Sequence, residues 1–291
     1  MSKIKKIMIV FTISIILIVV GVLIFNIIHN NTNMQLSAEK VAKINENVDI
    51  IPMADINEED VQMKTGGEAM YSTSISNYTK NANEAEFIII GTVESLDGVV
   101  IYNPVYKEYV MPRTVGTVKV NRVIKGNLEY SEIPFMKLGA TLSLFEYEKV
   151  LFPAEVTKMG LDKLSDDEKK NTYVTDMLSD DIQIKAGKTY LMYVNYYEDY
   201  GVYSIQYFKY GLREVESDRI SEIVGENAKK LDIDELKSIR VKDNTNGEYE
   251  TLETVIPSNI WNNMKWYINI KWVQYALIFF MPMNILKLSM N

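Results

Sequence analysis

The chain has 291 residues, 47% of them hydrophobic, with a formal net charge of −8 and no cysteine. That is apolar material enough for a core of ordinary size, so a disordered chain is excluded. The acidic balance excludes the usual basic nucleic-acid-binding surface, and the missing cysteines exclude a disulfide framework.

The charges are unevenly placed. Three of the 31 basic residues precede residue 7 and three follow residue 260, whereas all 39 acidic residues fall between Glu39 and Glu253. The middle of the chain is therefore strongly acidic, soluble beside an anionic envelope and unsuited to nucleic acid. Frequent Ile, Asn, Lys and Tyr suit an AT-rich bacterial genome.

The opening MSKIKK leads into an unbroken apolar run from Ile7 to Ile28, carrying Ile7, Phe11, Ile15, Val19, Val22 and Phe25. At about 1.5 Å per residue the run crosses a hydrocarbon layer of roughly 30 Å, which predicts a transmembrane helix over residues 7–28. A cleaved signal would have a shorter apolar core followed by small residues, which Phe25-Asn26-Ile27-Ile28 does not offer. A core helix with no polar face is foreign to a domain this small. Lys3, Lys5 and Lys6 place residues 1–6 in the cytoplasm and the rest outside, in the cell membrane.

Residues 29–69 read as a polar stalk, with a short helical pattern at LSAEKVAKINEN and a break at Gly66-Gly67. The main domain is expected over residues 70–257. EFIIIGTVES, from Glu86, reads as a buried strand, and TVGTVKVNRVIKGN, from Thr114, as its partner, with a bulge near Arg122 and a stop at Gly126. Between them, Pro104 and Pro112 suggest a long loop or irregular edge. A third apolar piece, ATLSLFEYEKVLF, precedes a helical insertion opened by a capping box at Ser165 and Glu168. DIQIK and TYLMYVNYY read as strands around Ala-Gly-Lys, and an EDYG turn joins the second of these to VYSIQYFKYGLREV. SDRISEIVG, capped by Ser217 and Gly225, and LDIDELKSIR read as short helices.

Gly187-Lys188-Thr189 ends like a phosphate loop, but that loop needs an earlier glycine where Ile182 stands, and a following helix where YLMYV stands. The triplet is a turn, and no nucleotide site is expected. Ser37 and Lys40 match the S-x-x-K spacing of serine acyl-enzymes without the further elements that chemistry needs. His29, at the membrane edge, is the sole histidine, so histidine-assisted nucleophiles and zinc sites have no ligands outside. Asp55-Ile-Asn57-Glu-Glu59 has Asp60 where a calcium loop turns on glycine, and Asp166-Asp167-Glu168 suits a first helical turn. Neither metal nor cofactor is expected. A carboxylate pair acting on a glycoside stays open. Tyr190, Tyr193, Tyr196, Tyr197, Tyr200, Tyr203, Tyr207 and Tyr210 crowd one hairpin; strand packing explains them, and sugar or peptide stacking is the alternative. Residues 258–291 hold Trp261, Trp266 and Trp272 beside lysines, as an interfacial tail would; a second span is the rival reading.

The order AEFIIIGTVES, GTVKVNRVIKGN, IKAGKTYLMYV resembles the OB-fold of netrin modules and tissue inhibitors of metalloproteinases, over Ala85 to Val215. It is also similar to anchored bacterial envelope proteins carrying this module. The resemblance implies a mainly β architecture: an OB-like, five-stranded Greek-key barrel with a helical insertion and short C-terminal helices, besides the transmembrane helix. It implies no activity, since those inhibitors work through an N-terminal cysteine absent here. The expectation is a non-catalytic, membrane-anchored binding module whose partner is another envelope protein or a wall polymer.

Overall fold

The computed structural model describes residues 43–53, 61–66, 76–128, 130–216 and 232–264, and the protein is mainly β. The organising strand is β3, Phe87–Asn103, hydrogen-bonded antiparallel to β4, Glu108–Lys125. Its isoleucine run serves two cores at once. Ile89 packs on one face, and Ile88 and Ile90 on the other, as the two-residue period of a strand requires. Pairing slips at several points, among them opposite Val120 to Lys125, where the bulge was expected. Such slips bend and twist a strand pair enough to curl it.

The curl closes. β4 pairs with β5, Glu132–Leu138; β5 runs parallel to β9, Val202–Ile205; β9 pairs with β8, Thr189–Tyr197; and β8 returns to β3, making a ring of five strands. Ile89, Val118, Phe135, Met192 and Tyr203, one from each strand, share a single buried cluster. β1, Ile51–Pro52, and β10, Leu212–Glu214, extend the sheet at β3 and β8. A second sheet sets β7, Tyr173–Asp176, between β6, Ala140–Ser143, and β2, Val61–Thr65, the last pair parallel.

Helices cover the other face of β3. α1, Tyr78–Glu84, ends over β4, where the Lys125 ammonium donates to the carbonyls of Ala82, Asn83 and Ala85. That cation satisfies acceptors a helix end leaves open. The insertion after β6 holds α2, Leu144–Tyr147, α3, Pro153–Lys158, and α4, Asp166–Lys170, the last opened by the expected Ser165–Glu168 capping box. α5, Ile233–Ser238, is capped by Asp232, and α6, Leu252–Val255, follows a small hairpin of β11, Arg240–Lys242, and β12, Tyr249–Thr251.

Several expectations are corrected. The 96–113 region is no loose loop: β3 and β4 run through it to a tight turn, with Pro104 in the turn and Pro112 at a register slip, where a missing N–H costs no ladder bond. β5 was not anticipated. Residues 181–185 form no strand; their alternation reflects Ile184, buried against the ring core, and Ile182, packed beside it. Residues 43–53, expected in the stalk, are part of the body. Ile44, Val48 and Ile50 pack against Val100, Val115 and Tyr200, and the Asn45 amide donates to the carbonyls of Glu198 and Asp199, both at 3.0 Å.

Trp261 is likewise no interfacial residue. It is 3% exposed, lies in the cluster with Ile88, Ile90 and Leu252, and donates its indole N–H to Ile256 O at 2.9 Å. Burying a ring with its polar edge satisfied is more favourable than leaving it at a surface. Trp266, Trp272 and the anchor residues Ile7, Phe11, Ile15, Val19, Val22 and Phe25 lie outside the described residues, as do Ser217 to Gly225. Among the described residues no helix is long and apolar enough to cross a membrane.

Candidate functional site

The parallel pairing of β5 with β9 joins only Phe135 to Tyr203 and Met136 to Ser204. Beyond it the strands part, and a cleft of ≈ 600 Å³ opens between Lys137 and Leu138 on one side and Ile205 to Phe208 on the other. Glu86, Arg113, Asn195, Tyr196 and Tyr197 also line it.

Each wall is fixed by its own hydrogen bonds. The Glu86 N–H donates to Asn195 Oδ1, and the Tyr196 N–H donates to the Glu86 carboxylate, both at 2.8 Å, which locks the start of β3 to the end of β8. Opposite, Tyr207 and Phe208 hold φ of 61° and 50°, left-handed backbone that bulky side chains rarely adopt. Two hydrogen bonds hold the turn, Tyr210 N–H and Gly211 N–H donating to the carbonyls of Tyr207 and Phe208, and the chain passes so close to itself that a Cβ on Gly211 would stand 1.9 Å from Gln206 O. Lys209 ties the turn to Asp180 at 2.7 Å. Strain kept in place this way is characteristic of binding surfaces.

Electrostatically, Arg113 stands apart. Its guanidinium lies 5.5 Å from the Tyr197 ring centroid and 5.6 Å from that of Tyr200, and donates weakly to Met136 Sδ at 3.7 Å. Among the described residues no carboxylate pairs with it. Lys137 differs: it is 4% exposed and bonded to Asp181, itself 2% exposed. Burial lowers the Lys137 pKa, against the pull of Asp181 in the other direction. Burial also raises the Tyr196 and Tyr207 pKa values, so both hydroxyls stay protonated near neutrality.

Two carboxylates line the cleft, but Asp181 is neutralised by Lys137 and Glu86 is held as an acceptor. A glycosidic acid needs a raised pKa. Burial raises the pKa of the Asp176 carboxyl, which lies on β7, outside the cleft lining. No cluster of three or more His, Cys, Asp or Glu forms among the described residues.

Of the motifs read in the sequence, Gly187 sits at φ 77° in a turn, its N–H donating to Val93 O at 2.8 Å, and β8 begins at Thr189. Asp166, Asp167 and Glu168 are the first turn of α4. Ser37, Lys40, His29 and Asp55 to Glu59 fall outside the described residues. The tyrosine-rich hairpin divides: Tyr190, Tyr193, Tyr200, Tyr203 and Tyr210 are buried, whereas Tyr196, Tyr197 and Tyr207 line the cleft. Sequence reasoning missed Arg113 and Glu86, which lie far from that hairpin along the chain. Comparison with protein-family models, curated proteins and solved structures finds no match to this chain.

Proposed function

We propose that this chain is a non-catalytic envelope protein, held in the cell membrane by residues 7–28, whose extracytoplasmic body binds another envelope protein or a wall polymer. The ring order β3-β4-β5-β9-β8, with a parallel β5–β9 seam and a helical insertion between β5 and β8, supports reading the body as an OB-like Greek-key barrel. The observation that carries the binding role is the cleft at that seam, where the Arg113 guanidinium, with no carboxylate partner among the described residues, lies over the Tyr197 ring in a lining that also holds Asn195 and Gln206. Few polar groups converging on an aromatic-lined concavity is the usual form of a ligand site.

Arg113 is the residue to test. In a pull-down of envelope extract by the full-length protein, Arg113→Ala is expected to lose the captured component and Arg113→Lys to keep part of it, since the two cations differ in geometry but not charge. Capture unaffected by Arg113→Ala would move the site elsewhere. The rival reading, a carboxylate-dependent hydrolase acting on sugars, is less well supported, because the cleft carboxylates are already engaged. Turnover of wall glycans, abolished by Glu86→Gln, would establish it instead.

A further inference from the structure

Five large hydrophobic side chains stand exposed among the described residues, and four of them sit on one hairpin: Val105, Tyr106, Tyr109 and Met111, each more than half exposed. They crown the β3–β4 turn. Soluble surfaces carry single exposed apolar residues freely, but a cluster on one projection marks a contact surface.

This projection is rigid. Asn103, 3% exposed, accepts the N–H groups of Val105 and Tyr106 on its side-chain oxygen at 2.9 and 3.1 Å, and Lys107 completes the turn at φ 56°. The Tyr102 and Tyr109 rings meet edge to face at 5.5 Å. The other half of the Asn103 amide donates to the Asp199 carboxylate at 3.2 Å.

Asp199 also touches the first described residues of the chain. Its carbonyl accepts from Asn45, whose own N–H donates to Tyr200 O at 2.9 Å, two residues after the described structure begins at Lys43. The base of the exposed hairpin and the segment that begins at Lys43 therefore meet on a single residue. The link from Ile28 to Lys43 reaches at most about 50 Å when extended. With a span over residues 7–28, Lys43 and the hairpin base beside it would lie within that reach of the bilayer.

We infer that the tip of the β3–β4 hairpin, through Val105, Tyr106, Tyr109 and Met111, inserts into the interfacial layer of the membrane that anchors the chain. The inference rests on the anchored reading above. Tyrosine prefers the headgroup level, where its ring is in acyl chains and its hydroxyl in water, and Val105 and Met111 supply apolar bulk beside it. Two attachments, a span and a wedge, would fix the orientation of the body and so the direction in which the seam cleft faces.

The chain has no cysteine, so single-cysteine variants can be labelled cleanly. Full-length Tyr106→Cys, Tyr109→Cys and, as a control on the small β11–β12 hairpin, Glu248→Cys would carry an environment-sensitive fluorophore in vesicles of phosphatidylcholine and phosphatidylglycerol. Expected are blue-shifted emission and strong quenching by nitroxide-labelled lipid at 106 and 109, with water-like, unquenched emission at 248. Co-flotation with water-like emission at all three positions would overturn the insertion and leave the anchor standing. Blue-shifted emission at 106 that lipid nitroxides do not quench would mean burial against protein, and would overturn it too. Failure to float with the vesicles would bring down the anchor and this inference together.

Discussion

Lys137 and Asp181 show what one buried pair demands of its surroundings. Both are almost wholly enclosed, so removing one leaves the other charged and unpaired in a poor solvent for charge. Lys137→Met is expected to cost about 3–5 kcal/mol, whereas adding Asp181→Leu should recover most of the loss; urea midpoints of the two variants decide it, and equal losses would refute the account. Asp176 behaves differently. Burial raises its pKa above 3.8, so the folded state holds the proton more tightly than the unfolded chain. Its contribution is complete below 3.8 and is lost as pH rises through the folded value, leaving a net cost near neutrality. Asp176→Asn should therefore gain on the parent between acid and neutral pH, measured as a widening difference in midpoint; a constant difference would show that the carboxyl is not penalised. Neither environment was legible locally, because Lys137 and Asp181 are partners across a long stretch of chain.

The strand pair β3–β4 carries the architecture, and its glycines set how closely it can coil. A Cβ on Gly116 would stand 2.1 Å from Ser95 O and 2.8 Å from a Phe135 ring carbon. Backbone cannot yield as a side-chain tip can, so Gly116→Ala is expected to cost at least about 1–3 kcal/mol. Amide exchange should speed first across Ser95 and Phe135; unchanged exchange there would contradict the contact. The core of this pair was readable in the sequence, since the Ile88–Ile90 run, the alternation at Val118 and Val120 and the slip near Arg122 are local patterns. β5 was not, because Pro134 interrupts a short apolar run whose strand character comes from the partner β4. The Ser165 and Asp232 capping boxes illustrate the contrast, being complete within four residues.

For the molecule as a whole, both ends of the described body are more firmly built in than their sequences suggest. Deleting the chain after Pro257 removes Ile260 and Trp261 from the cluster over β3. Trp261→Ala alone should lose about 3–5 kcal/mol by emptying that site, and the deletion should yield protein without a cooperative thermal transition. A stable, cooperative truncated body would place Trp261 outside the core after all. The seam cleft belongs to this scale too: Arg113, Lys137, Tyr196 and Phe208 come from four separate stretches and meet because the ring closes.

By itself the sequence determined the charge map, the absence of histidine and cysteine chemistry outside residue 29, the main strands and the helix caps, since each depends on residue type or on neighbours a few positions away. Tertiary structure decided which apolar residues are covered, that a polar-looking lead-in is part of the core, and where Arg113 meets the half-buried Tyr197 and buried Tyr200 rings. Those outcomes depend on contacts between distant segments, which a linear pattern does not encode until the chain has closed on itself.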